Sequence, residues 1–313
     1  MTSFRYDKGL QEVAAGVYAY LQPDGSWGWS NAGLIAGGET TMLVDTLFDL
    51  RLTQEMLDTM RRAVPAAGSI DTLVNTHGDP DHTFGNQLVG GAQIVASARA
   101  AEEMLGGESP EALRGLMAAA PQMGAAGEYV LRAFSAFDFS DITLVEPTRT
   151  FEGELRLSVG DVPVSLIEVG PAHTRGDTLV QLPRERVLFA GDIMFVGGYP
   201  VIWHGSVDGW IRACERILAM DVDVIVPGHG PITDKAGVRE LRDYLAYVQV
   251  EAADAYRGGL TVRDAAARID LSAYAEWGNP ERIVMMVDAV HRQLAGDESG
   301  PDQLALIAAM GGR

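Results

Sequence analysis

Four times along this chain, a short apolar run of β type ends in a turn loaded with imidazole or carboxylate groups. Ile70–Asn75 leads into Thr76-His77-Gly78-Asp79-Pro80-Asp81-His82, and Val164–Val169 leads into Gly170-Pro171-Ala172-His173-Thr174. Val187–Ala190 is followed by Gly191-Asp192, and Val222–Val226 by Pro227-Gly228-His229-Gly230. Short apolar runs bounded by Gly and Pro read as buried strands. Strand ends on one edge of a sheet are neighbours in space, so these four loops can converge on one rim. Glycine and proline beside each group turn the chain sharply and admit a ligand or metal close to the backbone.

The remaining pattern places this rim in a layered α/β protein. Residues 12–46 read as β pieces, Val17–Leu21, Gly33–Ala36 and Thr41–Val44, separated by the turn signals Pro23-Asp24-Gly25 and Gly37-Gly38. Leu52, Met56, Met60 and Val64 recur at helical spacing and predict an amphipathic helix over 51–64. Residues 97–127, rich in Ala, Met, Leu and Glu, read as helical with breaks at Gly106-Gly107 and Pro121. Further β runs are expected at 142–145, 155–159 and 162–169. From 236 to 310 the chain reads as helical, with Val238, Leu241, Leu245 and Val248 on a core face. This order suggests an α/β sandwich of layered sheets rather than a doubly wound parallel sheet. The expected organisation is one domain over 1–235 and a helical extension, 236–313, packed on it.

Charge narrows the partners. With 24 basic against 43 acidic residues the formal net charge is −19. Such a surface repels phosphate backbones and anionic head groups, so nucleic acid and membrane surfaces are poor partners. One cysteine, Cys214, excludes an internal disulfide framework and a cysteine-rich zinc site, and reads as a core residue. No apolar leader opens the chain and no run reaches a spanning length, so a cytoplasmic location is expected.

Taken singly, each of these groups has an ordinary explanation: a hydrogen-bonded loop histidine, or Asp79-Pro80-Asp81 as a turn and helix cap. Their coincidence at four strand ends is what points to metal. Imidazole and carboxylate suit zinc and also non-haem iron or manganese. Three histidines with three or four carboxylates could hold two cations while cancelling most of their charge. His291, without a partner motif, reads as structural.

The ordered set His-x-x-x-Asp-His, Pro-Ala-His-Thr, Gly-Asp and Pro-Gly-His-Gly resembles the metallo-β-lactamase-fold hydrolases over at least residues 12–232. The resemblance implies an αββα sandwich with one or two Zn2+ ions at one edge of the two sheets. It places His77 and His173 in a first metal site, Asp81, His82 and His229 in a second, and Asp192 between them. Asp79 departs from the usual His-x-His-x-Asp-His of these hydrolases. A carboxylate there either ligates and shifts preference toward Fe or Mn, or falls short and leaves the first site weak. Di-iron flavoproteins of the same superfamily carry a carboxylate at this position, which keeps an oxygen-linked redox alternative; this chain has neither a flavodoxin-like segment nor relay cysteines. Gly16-Val17-Tyr18-Ala19-Tyr20, Ser30-Asn31-Ala32-Gly33, Val44-Asp45-Thr46, Asn75-Thr76-His77 and Phe84-Gly85-Asn86-Gln87 further resemble actinobacterial members, including the cyclase/thioesterases of aromatic polyketide biosynthesis.

The chemistry implied is attack of metal-activated water on a thioester, ester or lactone, with Asp81 orienting the nucleophile or accepting its proton. In a cyclase the metal would instead stabilise an enolate of a β-keto thioester. The partner is then a small acyl substrate, free or carrier-bound. Tyr199, Trp203 and His204 follow Asp192 closely and are candidates to line the pocket, with packing or capping as the ordinary alternative. Trp27 and Trp29 would grip an apolar substrate or make a homo-oligomer contact. A metal-binding protein with a damaged first site is the non-catalytic reading.

Overall fold

The structure, a computed structural model, describes residues 4–297 and 299–312. Its strands are β1 Gly9–Ala14, β2 Val17–Leu21, β3 Ala32–Gly37, β4 Thr40–Val44, β5 Thr72–Val74, β6 Gln93–Ser97, β7 Arg149–Phe151, β8 Glu154–Val159, β9 Val162–Glu168, β10 Thr178–Leu182, β11 Val187–Phe195 and β12 Val224–His229. The helices are α1 Leu50–Ala63, α2 Pro80–Thr83, α3 Ala98–Gly106, α4 Pro110–Ala119, α5 Ala125–Phe134, α6 Val207–Ala219, α7 Lys235–Arg257, α8 Val262–Arg268, α9 Ile283–Ala295 and α10 Gln303–Gly311.

Strands β1 to β7 lie in sequence order in one sheet; β12, β11, β10, β9 and β8 make the other. The first sheet is antiparallel from β1 to β4 and parallel from β4 to β7. In the second, only β11 and β12 run parallel.

Alternation along the strands sets which residues meet. Ile35, Met42 and Val44 face Val180, Val187 and Phe189 between the sheets. Leu34 and Leu43 turn the other way, onto Leu52, Met56 and Met60 of α1. Leu179, Leu188 and Ala190 point outward into an apolar cluster with Trp210 of α6, Val238 and Leu245 of α7, and Met285 of α9. Helices therefore cover the outer face of each sheet, which is the αββα arrangement. Helices α7 to α10 share that cluster with the second sheet, and through Met310 it extends to Tyr129 of α5. Among the described residues no helix is long and apolar enough to cross a membrane.

Residues 142–145 correct the sequence reading, for they form no strand. Ile142 buries its side chain against the α1 layer, while Gln87 takes the backbone bonds a ladder would use, donating to the Asp141 carbonyl and accepting from Thr143. Strands β6, β7 and β10 were not anticipated.

The sheets approach closely at Gly33, where a Cβ would lie 2.3 Å from the Phe189 ring. Gly33→Val should therefore overpack the intersheet layer and cost about 1–3 kcal/mol. Chemical denaturation should show this as a lower midpoint with an unchanged slope.

Candidate metal centre

The four anticipated turns meet at one edge of the sandwich. His77 to Asp81 follow β5, His82 lies on α2, His173 follows β9, Asp192 sits within β11, and His229 ends β12. Asp192 is central. Its Oδ2 lies 3.4 Å from His229 Nε2, 3.5 Å from His173 Nε2 and 3.9 Å from His77 Nε2. Its Oδ1 lies 3.1 Å from His82 Nε2. Asp79 Oδ2 is 3.2 Å from His173 Nε2, and Asp81 Oδ2 is 3.2 Å from His229 Nε2. His77, Asp79 and His173 thus form one ligand-competent group, and Asp81, His82 and His229 another, with the atoms of each within 4.8 Å of one another.

These side chains fit cations better than one another. Bonds of about 2.0–2.2 Å put the ligand atoms of a tetrahedral ion about 3.3–3.6 Å apart, close to the separations around Asp192. His77 Nε2, His82 Nε2 and Asp192 Oδ1 are buried and make no aligned hydrogen bond in the protein, a costly state for polar atoms that nothing else satisfies.

The outer edges of the rings explain how those nitrogens stay bare. His82 Nδ1 lies 3.0 Å from Asp45 Oδ2, and His173 Nδ1 lies 2.7 Å from the Val201 carbonyl. Thr76 donates its hydroxyl to Asp45 Oδ2 at 2.7 Å, so its oxygen accepts from His77 Nδ1 at 2.9 Å. Each Nδ1–H is thereby turned away from the centre, so that Nε2 is the ring atom offered toward it. His229 is positioned differently: its ring stacks on Phe195 at 5.0 Å and 6°.

Electrostatics favour positive charge at the centre. Burial disfavours the His173 cation, yet the hydrogen bond its ring donates to Asp79 and the charge of Asp192 push its pKa up to about 10. Burial likewise opposes the His82 cation and is outweighed by Asp192 and Asp81. Only His77 goes the other way, lowered to about 4 by burial and by His82. Asp192 is held well below the carboxylate range because His229 and His82 overcome its burial.

Asp45 was not singled out as a site residue, although it obeys the same rule as the rest: it is the carboxylate directly after an apolar strand, β4. It also accepts from the Thr76 amide at 2.7 Å. Asn31 braces the His229 turn, donating to the Pro227 carbonyl at 3.0 Å and to that of Gly230 at 2.9 Å. Between them, Gly228 has no room for a side chain, since a Cβ there would lie 1.8 Å from Asp192 Oδ1.

An inner pocket opens from Asp79, Asp81, His173, Asp192 and His229 and is walled by Trp27, Phe134, Trp203, Arg282 and Met310. Glu108 lines its mouth; burial, then the charges of Asp79 and Asp81, push the Glu108 carboxyl up to about 7. Of the aromatic candidates, Trp27 and Trp203 reach this pocket, and His204 lines an outer groove that joins it at Asp79 and Glu108. Trp29 and Tyr199 line neither. Trp29 packs on Phe137, and Tyr199, 1% exposed, points into the helical layer and donates to the Tyr274 carbonyl. His291 packs beneath Tyr256 and bonds the Ala252 carbonyl; Cys214 is buried on α6.

Residues 25–229 match the sequence profile of the Metallo-beta-lactamase superfamily. The chain belongs to the metallo-β-lactamase superfamily. That fold implies divalent-metal binding, in keeping with the donor groups described above. Among curated members, the chain is 38% identical to the alpha subunit of 2,4-dinitroanisole O-demethylase from Nocardioides sp. over 84 residues, 26% of each protein. It is 24% identical to an acyl-coenzyme A thioesterase of Gallus gallus over 213 residues, 64% of this chain and 72% of that one. In fold, a Pseudomonas sec-alkylsulfatase superposes with a TM-score of 0.68 at 20% identity, covering 92% of this chain and 50% of the sulfatase. A metallo-β-lactamase of Pontibacter korlensis superposes at 0.57 and 18% identity, covering 77% of this chain and 99% of the lactamase. The chain thus spans about a quarter of the demethylase subunit and half of the sulfatase. No cyclase is among these four.

Two substitutions that leave every donor group in place should still disturb the centre. Asp45→Asn removes the charge that orients His82, and loss of such a partner is expected to weaken metal affinity about 10–100-fold. Gly228→Ala should displace Asp192 and lower metal retention at comparable folding. Elemental analysis after dialysis, beside circular dichroism, reads both.

Proposed function

We propose that this chain is a metal-dependent hydrolase of a small ester or thioester. The observation that carries the reading is the ring of inward-facing Nε2 and carboxylate atoms around Asp192, opening directly onto an aromatic pocket. The thioesterase and sulfatase relatives support hydrolysis of an acyl or ester bond in general terms, and this chain's own aromatic wall supports an apolar acyl part.

His77, Asp79 and His173 would hold one cation, Asp81, His82 and His229 a second, and Asp192 would serve both. Four carboxylates, Asp45 included, balance two dications, so the filled centre would be close to neutral. Zinc suits the imidazoles, while Asp79 adds a harder donor that admits iron or manganese. When bound, such ions supply Lewis acidity, making water a nucleophile near neutral pH and polarising a carbonyl.

The protein's side chains do the rest. Asp81 faces the pocket with 15% of its side chain exposed, placing a carboxylate where it can orient water and accept its proton. Trp27, Phe134 and Trp203 exclude bulk water around the acyl chain, which strengthens every charge interaction inside. In the overall reaction the water oxygen bonds the carbonyl carbon, the C–O or C–S bond breaks, and the departing alcohol or thiol takes up a proton.

Asp79 is also the observation that favours a second reading, an oxygen-linked di-iron enzyme. Protein loaded separately with zinc, manganese and, anaerobically, iron distinguishes the two. The expected result is bound metal at about one equivalent or more and turnover of at least one thioester, ester or lactone. Full loading with no hydrolysis, together with oxygen consumption by the iron form, would replace the hydrolase reading with the oxidoreductase. His82→Ala and Asp192→Ala should each lose retained metal and lower kcat/KM by at least about 100-fold; normal turnover in either refutes the ligand assignment.

A further inference from the structure

Arg282 is an unusual wall for the inner pocket. It ends the short turn Pro280–Arg282 that starts α9, and it is 1% exposed. Among the described residues no carboxylate lies within 4.0 Å of it, whereas Arg186 and Arg257 at the surface and half-buried Arg292 all have such partners. Its Nη1 donates to the Tyr199 carbonyl at 3.1 Å, and its Nε is buried with no partner at all. The guanidinium lies over the Trp27 ring, 4.5 Å from the centroid. Trp27 is itself fixed, since its Nε1 donates to the Tyr129 hydroxyl at 2.7 Å.

A buried guanidinium stays charged and needs a counter-charge or saturated hydrogen bonding. Here burial opposes the charge, while Tyr129, Glu281, Asp192 and Asp81 favour it from a distance. Two of those four are candidate metal ligands, and cations at the centre would neutralise them. In the loaded protein Glu281 would remain the nearby carboxylate, beyond 4.0 Å, and the guanidinium would keep a buried Nε without a hydrogen-bond partner.

We propose that Arg282 is the anion-recognition residue of the inner pocket, and that the substrate carries a carboxylate-type oxyanion on its apolar body. Resting on the hydrolase reading of the same site, this places the oxyanion at Arg282 and the scissile bond near Asp81 and Asp192. A planar oxyanion matches the guanidinium fork, and the aliphatic or aromatic spacer lies along Trp27 and Phe134. With a net charge of −19, the outer surface gives an anion no general welcome, so the discrimination is local to this residue.

Binding and turnover test it separately. Tryptophan fluorescence of metal-loaded protein is titrated with valerate and with neutral valeramide. Valerate should bind at least about tenfold tighter, Arg282→Gln should erase that preference, and Arg282→Lys should restore only part of it. Equal binding of the two probes by the unaltered protein overturns the proposal, with no need for a folded variant. So does a preference that survives in Arg282→Gln, because the carboxylate is then seeking the metals. In turnover, the mono-p-nitrophenyl ester of glutarate should exceed p-nitrophenyl valerate by at least about tenfold in kcat/KM, chiefly through KM. Arg282-dependent valerate binding without cleavage of any ester would sink the hydrolase reading and leave this one standing; cleavage indifferent to the anion would do the reverse.

Discussion

Placing the Asp192 carboxylate among the inward edges of four imidazoles governs the rest of this structure. Such a cluster sits at the seam of two sheets, out of reach of bulk water, and mutual attraction alone does not align its atoms: several buried nitrogens and one carboxylate oxygen make no hydrogen bond. Leaving them unsatisfied is expensive, so the surrounding chain is committed to holding a geometry that suits cations. Asp45 and Thr76 spend their hydrogen bonds on the far sides of His77 and His82, the Val201 carbonyl does the same for His173, and the turn at Gly228 gives up its side chain so that Asp192 can approach. The bracing runs across both sheets: Asn31 precedes β3 of the first and clamps the end of β12 in the second.

Much of this was legible because strand periodicity and strand ends are local signals. Alternation at Val162, Val164 and Leu166 gave the buried face of β9 correctly, and the four loaded turns pointed to the rim that the structure assembles. Asp45 was equally legible in principle, yet its role is to orient a ligand, and nothing local separates such a carboxylate from a turn residue. The misses have physical causes. Strands β6 and β10 begin or are interrupted with polar residues, so their short apolar stretches gave weak signals. At 142–145 the apolar residues are real, but they pack as an irregular crossing whose backbone bonds are taken by Gln87. Tyr199 and Trp29 were attractive because they are large aromatics near the turns; burial in the helical layer and against Phe137 took them instead.

Arg282 was illegible for a different reason. In sequence it stands at the start of an apolar helix beside Glu281, where a solvated charge is the usual outcome. Only the packing of α7 to α10 back across the second sheet carries it into the pocket, over a tryptophan more than two hundred positions earlier in the chain. Long-range placement of this kind has no periodicity to read.

That placement divides the work between parts of the chain. The superfamily match ends at residue 229, and every candidate metal ligand lies within it. The pocket wall beyond the ligands is mixed: Trp27, Phe134 and Trp203 lie within the match, while Arg282, Ile307 and Met310 come from the helical segment that follows. Ligand geometry tolerates little change where the bracing is shared, as Asp45 is shared by Thr76, which holds His77, and by His82. At the pocket wall an apolar side chain such as Ile307 can be exchanged for another of similar volume at modest cost. Donor positions set by strand ends and wall residues carried by the helices are then only loosely coupled.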